Sequence, residues 1–342
     1  MASIPTFEIF RNEQASFSAL AVWREAVASF FDVEPLSDDF TAALTSYSLG
    51  NLLIGQAQAS AQIFRRTEDV IQRSRVDHIL IQYYLDGSFT GSAEALSIAV
   101  EPGDICCFDL AFGFWTEATD FSNLSMVIPK SALQPLTTGD QFHGLVLKSG
   151  EVSNRLLGAH MRELLLSCST LEDTDIDAVT QVTIELARLC LRMPSRKRLA
   201  PSARPGSLVE RARSFIGENL GDPNLDSIMI CQAFAISRAT LYRHFAPLGG
   251  VASVIRNWRL STVFSELEAD RNEPLHAIAR RNGFASESAC ARAFKARYGL
   301  SPSSLRALRL ERSETSDRPP TQISKEGKRP DLTRWLRDLG RK

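Results

Sequence analysis

The chain has 342 residues, a 44% hydrophobic fraction and a formal net charge of −1. At about 100–200 residues per domain this length predicts two domains, and without a run of about 18 apolar residues no membrane span is expected. The small net charge conceals an asymmetry: residues 1–203 hold 15 Lys and Arg against 25 Asp and Glu, whereas residues 204–310 hold 15 against 9. An acidic first half joined to a basic second half predicts that only the second half meets a polyanion.

The opening MASIPTFEIFRNEQ lacks a basic start followed by an apolar block, so a secretory signal is not expected and the reading is cytoplasmic. Residues 17–31 place Leu20, Trp23, Val27, Phe30 and Phe31 at helical spacing. From 40 to 130, short apolar segments alternate with Gly, Asp and Pro turn signals, which predicts an antiparallel β domain. Its clearest turn is Glu101-Pro102-Gly103-Asp104, where Pro presets φ and Gly supplies a positive φ. After Pro135 the pattern is helical. One stretch puts Leu156, Leu157, His160, Met161, Leu164 and Leu165 on one face, and the next does so with Val179, Val182, Leu186, Leu189 and Cys190. Two such helices form a hairpin whose wide apolar faces serve core burial or self-association in a homodimer.

Residues 193–207, MPSRKRLAPSARPGS, combine prolines, serines and basic residues and read as a linker. The expected division is therefore residues 1–192, linker 193–207, a basic helical domain 208–310, and a tail 311–342 expected to be disordered. Within the tail, Leu332, Trp335, Leu336 and Leu339 form one apolar stripe of a short helix that can dock elsewhere.

The basic domain carries one pattern twice. In the later copy, Pro274 suits a first helical turn, Leu275, Ile278 and Ala279 supply an inward face, Gly283 breaks the helix, and Ser286 caps the next one. That helix offers Glu287, Ser288, Ala291, Arg292 and Lys295 on its outward face. The earlier copy has Leu225, Ile228, Ile230 and Cys231 as an inward face and Ser237 as the cap, 49 residues before Ser286. Its second helix exposes Arg238, Ala239, Thr240, Tyr242, Arg243 and His244. Helix, short turn, helix is the helix-turn-helix layout, in which the second helix enters the major groove. The segment between the copies reads as one helix of about 18 residues, or about 27 Å at 1.5 Å per residue. That is near the roughly 34 Å repeat of B-DNA, so one chain can address two successive grooves.

Arg259-Leu260, IARRNGF at 278–284, RAFKARYGLSP at 292–302 and Arg306 resemble the signature of the AraC/XylS family of bacterial transcription regulators. Residues 237–260 resemble that family's first helix-turn-helix and linking helix, and residues 17–135, with the PGD-x-x-x-x-D piece at Pro102–Asp109, more loosely resemble its cupin-type sensor. The resemblance implies an α+β chain: a cupin-like β-barrel with a helical hairpin, then an all-α domain with two helix-turn-helix units. It implies binding to double-stranded promoter DNA, contact with RNA polymerase, control by a small-molecule effector, and activation of transcription. A repressor or ligand-independent regulator of the same fold is the nearest alternative, and a cupin-type metabolic enzyme the more distant one.

The residues themselves favour a non-enzyme with no cofactor. Only His78 lies in the β-rich region, without the clustered His and Glu a metal needs, and His143, His160, His244 and His276 are expected outside it. The six cysteines lack C-x-x-C spacing and read as reduced thiols, with Cys106 and Cys107 pointing to opposite faces of a strand. Candidate effector contacts are Arg66, Tyr84, Asp109 and Trp115, an Arg facing the barrel being suited to a carboxylate. Finally, where the family carries bulkier residues, the second reading helix has Ala289 and Cys290, and Ala235 replaces the turn glycine of the first unit.

Overall fold

The computed structural model describes residues 4–9, 16–93, 96–133, 142–192, 208–246, 249–269, 273–307 and 332–339. The expected linker at 193–207 lies outside these residues, as does 311–331 of the expected tail.

The first domain contains two antiparallel sheets. The larger has strand order β1 (Thr6–Ile9), β3 (Ala42–Ser48), β4 (Leu53–Ala59), β11 (Phe121–Ile128), β6 (Ile79–Asp86), β9 (Ile105–Asp109), β12 (Leu145–Leu147). The smaller runs β2 (Asp32–Pro35), β5 (Gln62–Arg66), β10 (Phe114–Ala118), β7 (Phe89–Ala93), β8 (Leu96–Val100). The sheets are not closed into one barrel: the cupin-like element is a two-sheet jelly-roll sandwich, which is how the expected β-barrel is realised. The turn at Glu101–Asp104 forms as the sequence predicts, with Gly103 at φ 88° and the Asp104 carboxylate accepting from the Glu101 amide at 3.0 Å.

The larger sheet is buried on both faces, and its alternation decides what goes where. Leu80, Tyr84, Cys106 and Val127 face the smaller sheet, while Ile79, Ile81, Ile105, Cys107 and Met126 face the opposite way. Cys106 and Cys107 thus diverge into two cores as their adjacency predicts, and burial pushes the Cys106 thiol well above its ordinary range. Helix α1 (Ser16–Val27) closes one end of the sandwich, with Trp23 fully buried and its Nε1 donating to Gln62 Oε1 at 2.9 Å. On the outer face of the larger sheet lies the helical hairpin α3 (Val152–Ser167) and α4 (Asp173–Arg192).

The hairpin's buried faces are rotated from the expected ones. Leu157, Met161 and Leu164 pack inward as expected, but Leu156 is 49% exposed. On α4 the inward side is Thr183, Ala187, Cys190 and Leu191, leaving Val182 and Leu189 61% and 59% exposed. A polar contact, His160 Nε2 to Thr183 Oγ1 at 2.8 Å, occupies the inter-helix seam and turns α4 toward its small residues. His143, expected outside the β-rich region, is buried against it: its ring centroid lies 5.5 Å from that of Phe112 and 6.1 Å from that of Phe108.

The second domain is helical: α5 (Leu208–Glu218), α6 (Ser227–Phe234), α7 (Arg238–Phe245), α8 (Val251–Ala269), α9 (Leu275–Arg281), α10 (Glu287–Tyr298) and α11 (302–307). It packs tightly on the first. The loop after β9 sends Ala111 and Phe112 into the core around Leu241, Phe245 and Trp258. Helix α2 (Glu68–Ser74) sends Ile71 into the core around Phe264 and Phe294. Between these contacts, Lys130 Nζ lies 2.5 Å from Asp109 Oδ2 and 2.7 Å from Ser261 Oγ on α8, with both charged side chains 2% exposed. Arg297 of α10 donates to the Ala111 carbonyl and lies 3.7 Å from Glu68. In the segment expected to be a disordered tail, Leu332–Asp338 forms helix α12, docked against α1 with Leu332, Leu336 and Leu339 buried in the sandwich core.

A buried ion pair contributes little against a well-packed apolar pair, but stranding one member costs about 3–5 kcal/mol. Lys130→Met alone is therefore expected to destabilise the protein by that order, and Lys130→Met with Asp109→Leu by clearly less. Denaturant unfolding of the two variants against the parent checks this, and equal losses would contradict it.

Candidate nucleic-acid interface

Each repeated unit is built by local capping. In the first, Asp226 caps α6 through bonds to the Ile228 and Met229 amides at 2.8 and 2.9 Å, and Ser237 caps α7 through the Thr240 amide at 3.1 Å. Leu225, Ile230, Leu241 and Phe245 turn inward. Ile228, expected to do so, is 42% exposed, because residues two apart on a helix are about 200° apart and Ile230 takes the inward face. Cys231 is half-buried. Between the helices Ala235 adopts the left-handed conformation at φ 52°, a position where an L-residue other than glycine costs about 1–2 kcal/mol.

In the second unit Pro274 stands just before α9 instead of inside its first turn, and Ser286 caps α10 through the Ala289 amide at 3.2 Å. Gly283 has φ 71°, and a Cβ there would sit 2.7 Å from the guanidinium of Arg259. That guanidinium donates to the Leu220 carbonyl at 3.0 Å and the Asp222 carbonyl at 2.6 Å, so Arg259 on α8 ties both units together at the place where glycine leaves room. Sequence reasoning marked Arg259 only as part of a signature. A long-range clamp between a mid-helix Arg and two carbonyls leaves no local pattern.

The arginines of this domain divide into two groups. Arg281 pairs with Glu266 and Glu273, each at 2.6 Å, which raises the Arg281 pKa and holds the Glu273 carboxyl below its usual range. Arg306 donates to the Glu273 carbonyl. These side chains fasten α8, α9 and α11 to each other. Arg238, Arg243, Arg292 and Lys295 are exposed and make no intramolecular ion pair among the described residues. Around them, Ala239, Tyr242 and His244 on α7 and Glu287 and Ser288 on α10 are exposed, while Thr240 and Ala291 are partly buried. Thr240 Oγ1 also shares a 2.9 Å hydrogen bond with Ser237. The linking helix α8 has 19 residues, against about 18 expected. The sensor domain touches α10 at its C-terminal end and leaves the outward residues of both α7 and α10 uncovered.

The four candidate effector residues are dispersed. Arg66 is buried with all five N–H groups committed, to the carbonyls of Leu110, Ser29, Phe30 and Val76 and to Ser74 Oγ. Asp109 is engaged with Lys130 and the Ala111 amide. Trp115 is 43% exposed on the outer face of β10, and Tyr84 is buried among Phe89 and Phe121. None of the four lines the cavity between the sheets, whose walls include Trp23, Phe31, Phe64 and Val127. Among the described residues no three His, Cys, Asp or Glu side chains form a metal-binding group, and no helix is long and apolar enough to cross a membrane.

A sensor sandwich fused to two capped helix-turn-helix units with unpaired basic faces is the plan of a DNA-binding transcription regulator with a ligand-binding domain. The AraC-binding-like domain family matches residues 21–192, and a helix-turn-helix domain family matches residues 230–308. The chain belongs to the AraC-like family of transcription regulators. Among solved structures it is similar in fold to the AraC-like transcriptional activator CuxR, at 24% identity over 75% of this chain and 93% of that one, with a TM-score of 0.50. Weaker matches include ToxT from Vibrio cholerae, at 13% identity over 75% of this chain and 98% of that one with a TM-score of 0.33. Another is the C-terminal domain of AraT from Geobacillus stearothermophilus, at 23% identity over 37% and 96% with a TM-score of 0.29.

Cys290 is fully buried in one core with Phe264, Phe294 and Tyr298, whose ring centroids lie 4.7–5.9 Å apart, and burial pushes its thiol up to about 12. Cys290 shares this fully buried core with the aromatic trio, so a phenyl ring added at 290 would compete with them for room. Cys290→Phe is therefore expected to destabilise the domain by about 1–3 kcal/mol through overpacking. A thermal unfolding scan checks it, and a raised Tm would reveal unfilled space.

Proposed function

We propose that this regulator is an activator of transcription that binds promoter DNA as a homodimer in the cytoplasm under control of a small-molecule effector, and that it is not an enzyme. The observation that carries the reading is the pairing of two capped units, each presenting a second helix with uncommitted basic side chains, on either side of one linking helix. In this reading Arg238, Ala239, Thr240, Tyr242, Arg243 and His244 of α7 enter one major groove. Glu287, Ser288, Ala291, Arg292 and Lys295 of α10 enter the next. Arg and Lys hold phosphates or guanine edges, Ser and Thr hydrogen-bond base edges, and Ala291 meets a thymine methyl. Contact with RNA polymerase follows from activation.

Dimerisation is supported by α4, where Val182 and Leu189, seven residues apart, share one exposed side. An apolar stripe of that kind on an outer helix suits the same helix of a second copy, an isologous contact.

Two measurements test the proposal. In DNA binding followed over a range of salt, Arg243→Ala and Arg292→Ala are each expected to weaken affinity. Loss of a phosphate contact lowers the salt slope by about 1 for all sequences, and loss of a base contact costs about 1–3 kcal/mol on the cognate site alone. Absence of sequence-specific retention by the parent at moderate salt would overturn the reading. In analytical ultracentrifugation Val182→Glu with Leu189→Glu is expected to shift a dimer to a monomer with the fold intact, and an unchanged mass would remove the α4 surface.

A further inference from the structure

The cavity between the two sheets has an unusual fourth wall. Its lining comes from β3, β4, β6 and β11 of the larger sheet, Phe64 of β5 in the smaller, α1 with Phe30 and Phe31 just after it, and Leu332, the first residue of α12. Helix α12 lies beyond the DNA-binding domain in the chain, yet it sits on the sensor. Leu332, Leu336 and Leu339 are buried there, the Leu336 carbonyl lies 2.7 Å from His78 Nε2, and Thr333 Oγ1 accepts from Ser29 Oγ at 3.2 Å. The free volume left under Leu332 is about 60 Å³. Pockets that take small organic ligands measure about 300–1,000 Å³. As it stands the cavity holds water-sized occupants only, and α12 is the one element of its wall that comes from beyond the DNA-binding domain.

The lining also restricts what can enter. It contains no Asp, Glu, Lys, Arg or His. Aromatic and aliphatic side chains make most of it, and its polar atoms are neutral: Ser46, Gln82, Asn123 and Ser125. Three of these form a short chain, Gln82 Nε2 to Ser125 Oγ at 3.4 Å and Ser125 Oγ to Asn123 Oδ1 at 3.2 Å. An ionised ligand would be desolvated here without a counter-charge, at high cost, whereas a largely apolar molecule with one neutral hydroxyl, carbonyl or amide finds both a surface and partners. Arg66, two residues from the lining Phe64, has every donor committed elsewhere.

We propose that α12 is the resident occupant of this cavity's mouth, and that an uncharged, largely apolar molecule binds by displacing it, so that docking of α12 and binding of the ligand exclude each other. The inference rests on the sensor reading above and names its ligand class. Helix α12 has 7 residues, too short to persist alone in water, so its hold depends on the three leucines, the partly buried Trp335 and the two polar contacts. Being tethered to the chain, it competes at high effective concentration, and weakening its anchors should expose the site to weaker ligands. Its release also unfastens the chain beyond the DNA-binding domain from the sensor.

The probe is the neutral fluorophore N-phenyl-1-naphthylamine, titrated into the full chain. Leu336→Glu, and the milder Leu336→Ala should the first fail to fold, are expected to tighten its binding at least tenfold with one site per chain. Adding Ala57→Phe, which fills the cavity from β4, is expected to abolish that gain. The anionic analogue 1-anilinonaphthalene-8-sulfonate should not compete. Unchanged affinity in the Leu336 variants, persistence of binding with Ala57→Phe, or equal binding of the sulfonate would each overturn the proposal. Promoter DNA retention, measured in parallel, separates the two readings: its loss in the parent chain would strike the DNA-binding assignment and leave the probe result standing.

Discussion

The buried guanidinium of Arg66 holds the sensor together at the point where its parts meet. Its five N–H groups fasten the end of α1 (Ser29 and Phe30 carbonyls), the end of α2 (Ser74 and Val76) and the exit of β9 (Leu110 carbonyl). Burial lowers its pKa to about 9, and the nearby Asp109 limits the fall, so the group stays charged at neutral pH. Lysine cannot substitute: it has three donors and no planar fork, and five carbonyl and hydroxyl oxygens would be left with two partners too few. A residue that looks like a ligand contact in sequence is thus committed to the backbone. The three segments it gathers are those on which both the cavity and the domain seam depend. Helix α1 and the turn after it supply Trp23, Val27, Phe30 and Phe31 to the cavity wall, and the exit of β9 leads within two residues to Phe112 at the seam.

The seam itself combines two kinds of contact with different duties. Phe112, buried beside Trp258, and Ile71, buried beside Phe264 and Phe294, each contribute about 1.5–3 kcal/mol of apolar burial. The Asp109–Lys130–Ser261 set adds little net stability, since desolvating both charges offsets their attraction. What it adds is position: the ammonium's short bonds to a carboxylate on the sensor and a hydroxyl on α8 tolerate little sliding. Apolar contacts hold the domains together, and the hydrogen bond from Lys130 to Ser261, with the ammonium itself held by Asp109, fixes where.

How much of this was legible in the sequence follows from the range of each interaction. The two helix-turn-helix units were legible because their signals are local: Ser237 and Ser286 cap within three residues, and Gly283 marks a turn, whereas the Asp226 cap emerges only in the structure. The divergence of Cys106 and Cys107 follows from strand parity alone. On α4, Val179, Leu186 and Cys190 pack inward as their spacing predicts, but periodicity counts apolar residues and does not see His160 bonding to Thr183, which draws a polar row inward and leaves Val182 and Leu189 outside. The cavity was out of reach altogether: Ser46, Gln82, Asn123 and Ser125 are scattered polar residues until strand order places β3, β4, β11 and β6 side by side. The stripe of the last helix was visible, but nothing local names α1 and His78 as its partners.

The same distinction bears on the two units' unequal composition. Neither unit's core is complete within the helical domain. The first takes Phe112 from the sensor, the second takes Ile71, and both residues come from segments held by Arg66 or adjoining it. The second unit carries the small Cys290 in one core with the aromatic trio Phe264, Phe294 and Tyr298, and Ile71 joins that core. The first unit accepts a left-handed Ala235, and Phe112 adds a large buried ring to its core. Departures from a self-sufficient helix-turn-helix are thus matched by residues of the sensor. Each unit's packing is therefore tied to where the sensor sits, and a shift of the loop after β9 or of α2 would reach both reading helices through the cores beneath them, with no contact to their outward faces.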